Sequence, residues 1–561
     1  MATDATATDE TVTDEERTWW KEAVVYQIYP RSFADSDGDG IGDIQGIIDR
    51  LDYVSSLGVD VIWLNPVYDS PQRDNGYDIS DYRAIHEEYG TMADWEELLD
   101  EIHARDMRLV MDLVVNHTSV DHEWFQKSRA GDPDYEDYYI WREGDGDGPP
   151  NNWESFFGGS AWEYDEARGE YYLHLYDKSQ PDLDWTNPEV RREIFDAIEW
   201  WLGKGIDGFR MDVINLLSKA DGLPDGDPTA EWVGQEHFID GPEMMPYLTA
   251  LDEQVLSNYD VMTVGEMPQL TVEKAKRYAG ADGPLDMAFH FQHTKLDYAD
   301  GKRWSVGEWD LADLKEITRR WQEGLAGDGW NAVYWENHDQ PRVVSRYGDP
   351  ENYRRESATM LGTYLFTLSG TPYIYQGQEI GMTNAEWPSL SEMRDVDAIN
   401  HARELLEDGV GERYEDVRDI VGYRTRDNAR TPMQWDDTES AGFTDGKPWI
   451  QVNPNHESIN VAASETPGSV LNYYRALVSL RANHDALVYG DYEEIETGDD
   501  EVWAYTRTLN EQSLLVVLNF GDSEATVDLP ETKTARLALS NYDGGEPERL
   551  APYEARVYDR G

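Results

Sequence analysis

Eight short apolar runs recur along this chain, separated by amphipathic stretches of helical period. That alternation limits the fold more than any other feature. The runs are VVYQIYP (24–30), VDVIWLNP (59–66), MRLVMDLVV (107–115), IDGFRMD (206–212), VMTVGE (261–266), LDMAFHF (285–291), NAVYWENHD (331–339) and GTPYIYQ (370–376). Nearly continuous β-branched and apolar character suits strands covered on both faces, as in a parallel sheet. Between them lie helical patterns such as TMADWEELLDEIHARD and PEVRREIFDAIEWWLGKG. The second opens Asn-Pro-Glu and closes on glycine, which are start and stop signals. Eight strands alternating with helices predict a (β/α)8 TIM barrel.

The alternation breaks twice. Residues 117–187 are aromatic and rich in Gly and Pro, including GDGDGPPNNW, and are too long for a connection. They predict a small inserted domain after the third strand. Residues 384–440 form a second excursion after the eighth. From residue 486 the runs EVWAYTRTL, SLLVVLNF and ARLALS change to period two, predicting a C-terminal antiparallel β-sandwich domain over 486–561. The expected plan is an acidic disordered tail (1–18), a barrel (19–116 and 188–485), an insert (117–187) and the C-terminal domain.

Charge excludes whole classes of function. The chain carries 114 acidic against 47 basic residues, a formal charge of −67, and only 12 of the basic residues are lysine. Nucleic-acid binding and attraction to anionic membranes both need a basic surface. With 21 Trp and 34 Tyr the composition is not that of a disordered chain. It fits a folded, halophilic protein whose acidic surface stays hydrated in concentrated salt. There are no cysteines, hence no disulfide or thiolate chemistry. The N-terminal stretch has no apolar core, and no window reads as a membrane span. A cytoplasmic protein in a high-salt cytosol is expected, as a monomer or weak homo-oligomer.

In such a barrel, polar residues at the C-terminal strand ends are the candidates for chemistry. MDLVVNH ends at Asn116 and His117, GFRMD carries Arg210 and Asp212, TVGE ends at Glu266, and WENHD ends at His338 and Asp339. One acid alone in so acidic a chain means little. Converging carboxylates on successive strand ends suit glycoside hydrolysis, where one acid protonates the leaving oxygen and another attacks the anomeric carbon or activates water. Arg210, two residues before Asp212 on one strand face, is expected to keep that carboxylate ionised.

The blocks QIYPRSF, DLVVNHTS, GFRMDVIN, VGEM and ENHDQPR resemble the opening strand and conserved blocks of the α-amylase superfamily, glycoside hydrolase family 13. DNGYDISDY, NNWESFFGGSAW, YYLHLYDKSQPDLDW, GTPYIYQGQEIGMTN and RDNARTPMQWDD resemble its oligo-1,6-glucosidase and α-glucosidase branch. The likeness runs from about residue 19 to the end; the tail and the acidity depart from it and suggest a haloarchaeal member. The resemblance implies an exo-acting, retaining α-glucosidase for disaccharides or small oligosaccharides, with no organic cofactor. Asp212 would be the nucleophile, Glu266 the acid and then base, and Asp339 the residue that binds sugar hydroxyls, with the first two carboxyls about 5–5.5 Å apart. Asp74, Tyr77, His117, Arg210, His338 and Arg426 would hold the terminal glucose, Asp74 with Arg426 closing the pocket behind it. Phe157, Tyr176 and Gln180 would line it.

The stretch DSDGDGIGD (35–43) has calcium-loop spacing, with oxygens at positions 1, 3, 5, 7 and 9. Gly46 stands at the twelfth position, so it is not a complete EF-hand. By itself it reads equally as a cation site or as more acid in an acidic chain. The resemblance implies a structural Ca2+, with Mg2+ as the other hard cation, held by Asp35, Asp37, Asp39, Asp43 and the Ile41 carbonyl. Val213, after the nucleophile, resembles enzymes that cleave α-1,6 links, while Gln378 stands where an acid is expected. Sucrose isomerases of the same branch carry an arginine-rich loop where this chain reads KLDYADGKRW. A catalytically dead transporter ectodomain would need a membrane span and could lose the acids.

The charge generates the first prediction. The Debye length is about 3 Å at 1 M salt, so roughly molar KCl screens the self-repulsion that dilute buffer leaves in force. Dialysis to low salt is expected to lower both activity and ellipticity; unchanged values would refute the halophilic reading.

Overall fold

The computed structural model describes residues 17–146, 148–529, 532 and 534–561. All but the last two residues of the predicted tail lie outside the described residues. The eight apolar runs form eight strands: β1 Val25–Ile28, β2 Val61–Leu64, β3 Arg108–Val114, β4 Gly208–Asp212, β5 Met262–Glu266, β6 Met287–Phe289, β7 Ala332–Val333 and β8 Thr371–Tyr375. They pair in parallel in the order β6-β5-β4-β3-β2-β1-β8-β7. A single parallel bridge, Ala288 to Asn331, joins the ends and closes the sheet into the predicted barrel.

A longer helix follows each strand, with shorter ones in some connections: α1 Ile44–Ser56, α2 Met92–His103, α3 Pro188–Lys204, α4 Met244–Gln254, α5 Val272–Ala279, α6 Leu311–Leu325, α7 Arg354–Thr367 and α8 Val470–Ala482. Local chemistry sets their ends. Thr91 and Asp94 make a capping box on α2. Asn187 caps α3, Pro188 takes its first position, and Gly205 ends it in the left-handed region at φ 102°. The barrel interior is plugged from below by Val25, Val61, Trp63, Val110, Met262, Val264, Met287, Phe289 and Tyr373. The outer core fills the space between strands and helices, with Trp95 and Trp201 edge to face at 4.8 Å. The apolar plug fills the lower barrel interior, and the polar side chains of the C-terminal strand ends lie above it.

Between β3 and α3 the chain makes three short strands, Trp141–Arg142, Trp162–Asp165 and Glu170–Leu173, in one antiparallel sheet. The excursion after β8 contains helices Val396–Glu407 and Tyr414–Arg424. At the C-terminus, β9 Asp491–Ile495, β10 Val502–Leu509, β11 Gln512–Asn519, β12 Arg536–Ser540 and β13 Ala555–Asp559 form an antiparallel sheet. Its central strands are buried on both faces instead of alternating with solvent. Trp503 and Tyr505 join the barrel's outer core, whereas Val502 and Ala504 pack into a separate small core. The sheet is sandwiched between barrel helices and a two-stranded sheet, Ala525–Thr526 with Arg549–Leu550. Among the described residues no helix is long and apolar enough to cross a membrane.

Gly208 opens β4 at φ 152°, and a Cβ there would lie 2.0 Å from the Met262 carbonyl oxygen on β5. Backbone cannot yield as a side chain does. Gly208→Ala is therefore expected to destabilise the fold at or above the usual overpacking range of about 1–3 kcal/mol, read from chemical denaturation in high KCl.

Candidate active site

Above the barrel's C-terminal end lies a cavity of about 170 Å³. Asp74, Tyr77, His117, Phe157, Tyr176, Gln180, Asp212, Glu266, Asp339 and Arg426 line it. Arg210 and His338 sit behind this lining, each essentially without exposure. The sequence-predicted pocket residues thus converge, and two of them act from beneath.

The floor is organised by Arg210, brought up on β4 with Asp212. Its Nη1 donates to Asp212 Oδ1 at 2.8 Å, and its Nη2 forms an ion pair with Glu266 Oε2 at 2.7 Å. Nη1 also donates to Asp112 on β3. Asp112 is fully buried and accepts from Trp63 Nε1 at 2.9 Å and Asn65 Nδ2 at 3.1 Å. The spacing of Arg210 and Asp212 led to the expectation that the arginine would depress the aspartate. The ion pair forms, but the net shift runs the other way. Burial pushes the Asp212 carboxyl well up; Arg210 opposes it, while Glu266, Asp112 and Asp339 add to the rise. Carboxyls this close titrate as a group, not one by one.

Val213 follows Asp212 in a left-handed conformation, φ 37° and ψ 42°, an outlier for a β-branched residue. Its amide donates to Glu266 Oε2 at 3.2 Å. Backbone strain of this kind costs of order 1–3 kcal/mol and persists only where the surroundings enforce it.

Asp339 faces this pair from the β7 side. Arg430 Nη2 donates to Asp339 Oδ1 at 2.7 Å, and Arg426 Nη1 lies 3.4 Å from the same oxygen. His338 Nδ1 stands 2.9 Å from Gln27 Nε2 and 3.4 Å from Asn65 Nδ2. Both neighbours are amide donors, so Nδ1 accepts, and Nε2 lies 3.1 Å from Asp339 Oδ2. Burial alone would raise Asp339, but His338, Arg426 and Arg430 outweigh it and hold the carboxyl well below the usual range. The His338 ring also stacks on Tyr77, centroids 5.1 Å apart.

The inner end is closed by charge. Arg426 Nη2 donates to Asp74 Oδ1 at 3.1 Å and Gln180 Nε2 to Asp74 Oδ2 at 3.2 Å. Arg426 is aimed by Asp395, which accepts its Nε at 2.7 Å and its backbone amide at 2.8 Å. The guanidinium also lies 4.8 Å over the Phe157 ring. His117 Nε2 lies 3.2 Å from the Tyr77 carbonyl, and burial lowers the ring's pKa to about 4, so it is neutral at pH 7. Tyr176 packs between the His117 and Phe156 rings, centroids 5.3 and 5.1 Å away.

Sequence reading missed Asp112, Asp395 and Arg430. Asp112 had a visible signal, a charge in the middle of the apolar run MRLVMDLVV. Asp395 lies in the excursion after β8, where no period marks which acids turn inward. Gln378 lies outside the pocket, accepting from the Tyr375 amide at 3.2 Å and donating to the Tyr474 hydroxyl at 3.1 Å.

Asp35, Asp37 and Asp39 each offer one carboxylate oxygen within 4.8 Å of the others. Burial raises Asp39, and repulsion from Asp37 and Asp35 adds to it. Asp43 is placed differently. It caps α1, its Oδ1 accepting from the Gly46 amide at 2.6 Å and its Oδ2 from the Ser36 amide at 2.8 Å.

Comparison with known proteins bears on the same features. Residues 27–490 match the α-amylase catalytic domain, and residues 502–557 match the α-amylase SusG C-terminal domain. An oligo-1,6-glucosidase of Parageobacillus thermoglucosidasius is 55% identical over 97% of this chain and 99% of its own length. A trehalose-6-phosphate hydrolase of Bacillus subtilis is 49% identical over 97% and 98%. The crystal structure of an isomaltulose synthase from Klebsiella sp. LX3 superposes with a TM-score of 0.92 at 42% identity, covering 97% of this chain and 99% of that one. With its barrel, its converging acids and these relatives, the chain belongs to glycoside hydrolase family 13 and is an enzyme of the α-amylase catalytic-domain type.

Proposed function

We propose that this enzyme is a retaining, exo-acting α-glucosidase that releases α-glucose from the non-reducing end of short α-glucosides through a covalent glucosyl–Asp212 ester. The observation that carries the reading is the single guanidinium of Arg210 bracketed by Asp212 and Glu266, with Asp339 facing them and charge closing the pocket's inner end. Burial raises Asp212 and Arg210 opposes it. The reactive form has Asp212 ionised beside Arg210 Nη1 and the proton on Glu266. Glu266 then protonates the glycosidic oxygen as Asp212 attacks the anomeric carbon, and the aglycone leaves with the proton. Water, deprotonated by Glu266, attacks the same carbon and restores the α configuration. Asp339, held ionised, takes sugar hydroxyls and favours the distorted ring. Another sugar's hydroxyl can replace water, giving transglucosylation as a side activity.

Isomaltose-type links and sucrose are the favoured substrates, with maltose accepted. Val213 lines the cavity at the position that resembles α-1,6-cleaving enzymes, and the 55%-identical relative bears an oligo-1,6-glucosidase name. A methyl-scale difference in a pocket biases by only about 1–3 kcal/mol, so several linkages fall within reach. A second reading, hydrolysis of trehalose 6-phosphate, is favoured by one observation. Lys295 and Arg303 line the cavity mouth in a chain poor in cations. Each is already paired, Lys295 with Glu231 at 3.0 Å and Arg303 with Asp397 at 2.7 Å, which supports uncharged sugars instead. Sucrose isomerisation is the alternative named by structural neighbours such as the isomaltulose synthase.

The Asp35–Asp37–Asp39 loop fits a hard divalent cation, since three like-charged oxygens crowd one another on the exposed side of the loop. We assign it structural Ca2+, with the Ile41 carbonyl and, after rotation from its cap, Asp43 completing the set. Bound there, the ion would brace the connection between β1 and α1 and take no part in bond cleavage.

Initial rates in high KCl on isomaltose, sucrose, maltose and trehalose 6-phosphate test the function. Wild type is expected to release glucose fastest from isomaltose or sucrose, and Asp212→Asn to lose roughly 10⁴-fold or more in kcat. Faster turnover of trehalose 6-phosphate would favour the second reading, and isomer products without free glucose would sink both. For the metal, chelation or Asp37→Ala is expected to lower Tm while leaving kcat at moderate temperature unchanged. An unaltered Tm on chelation would remove the calcium assignment.

A further inference from the structure

A second cavity, of about 490 Å³, lies at the opposite, N-terminal end of the barrel. Its walls come from the residues before β1, β6, β7 and β8 and from the start of the C-terminal domain. It sits under the weakest part of the barrel, where one bridge at Asn331 closes the sheet. Its size falls in the range of small-molecule sites, about 300–1,000 Å³.

The lining has a distinct chemistry. Trp20 and Trp330 meet edge to face at 6.4 Å, and Tyr489 lies 6.4 Å from Trp330. Lys21 Nζ stands 5.3 and 5.1 Å from the two indole centroids. Asp286 is fixed on one side only, its Oδ2 accepting from the Thr263 amide at 2.8 Å and the Thr263 hydroxyl at 3.0 Å. Lys21 and Asp286 feel one another's charge without forming an ion pair among the described residues. Burial has pushed Asp286 up to about 6 and Lys21 down.

Indole faces suit the C–H faces of a pyranose or polyol. An amine and a carboxyl near one another but unpaired suit its vicinal hydroxyls. We propose that this cavity is a second binding site for a neutral monosaccharide or polyol, separate from the catalytic pocket. Occupied, it would tie the N-terminal segment, the β6–β7 seam and the C-terminal domain together. It would stabilise the fold without contacting the reacting atoms. The proposal does not depend on which glucoside is cleaved.

Equilibrium dialysis against labelled glucose in concentrated KCl tests it, using the full-length enzyme. Lys21→Met and Asp286→Asn are each expected to bind one glucose fewer per chain than wild type, with kcat/KM for the hydrolysed substrate unchanged. The rise of Tm with glucose is expected to shrink in the same variants. Lys21→Met removes only a half-exposed amine and remains informative if Asp286→Asn fails to fold. No glucose bound by wild type, or a stoichiometry in Lys21→Met equal to wild type, would overturn the proposal.

Discussion

The pocket depends on a shortage of positive charge around Arg210. This guanidinium is buried, bonded to Asp112 from below and to Asp212 and Glu266 above. On the facing side, Arg426 and Arg430 serve Asp74, Asp339 and Asp395. Six carboxyls therefore share three guanidiniums. An imbalance of this size in a low-dielectric space has to be relieved by protons or by a cation. Burial and the neighbouring carboxyls push Asp212 toward the first. Under the proposed reaction the sugar supplies the other. An oxocarbenium-like transition state brings positive charge to a site whose negative charge is already fixed in place.

Fixing those charges falls to the scaffold. Asp112, Arg210 and Asp212 ride on adjacent parallel strands, where pairing of Asp112 with Arg210 and Val114 with Asp212 sets their relative height. Glu266 is set by β5, whose Val264 and Gly265 pair with Arg210 and Met211. Val213 supplies what strand register alone does not, a backbone amide turned onto Glu266 at the cost of a left-handed β-branched residue. A relaxed residue there would turn that amide away from Glu266 Oε2 and leave the carboxylate its ion pair with Arg210.

Much of this was legible before any coordinates. The eight strands fall within the eight apolar runs because parallel strands covered on both faces need unbroken apolar sequence. The acids at strand ends were visible because a barrel puts its polar exceptions at one end. Other features were hidden for physical reasons. Asp395 acts through Arg426 from a stretch without periodicity, so nothing local distinguishes it from other acids of the chain. Trp503 and Val502 have opposite partners, barrel and satellite core, which period-two patterning reads only as a strand. The Arg210–Asp212 spacing gave the contact correctly and the net shift wrongly, because spacing is silent about burial and about Asp112.

The inner and outer halves of the pocket differ in how they are built, and the difference bears on specificity. Inside, Asp74, Arg426 and His117 are buried, and the partly exposed Asp339 is held by Arg430 and Arg426. At the mouth, the Lys295–Glu231 pair is partly exposed and can be exchanged at small cost, because exposed ion pairs are worth about 0–1 kcal/mol, whereas Arg303 is held by the buried Asp397. Changing the second ring therefore asks for a few rim substitutions, while changing the first asks for rebuilding a charge network. Relatives named for different reactions at 41–55% identity on one scaffold are what that asymmetry predicts. Under the proposed activity the aglycone meets this rim, where Lys295 is paired with Glu231.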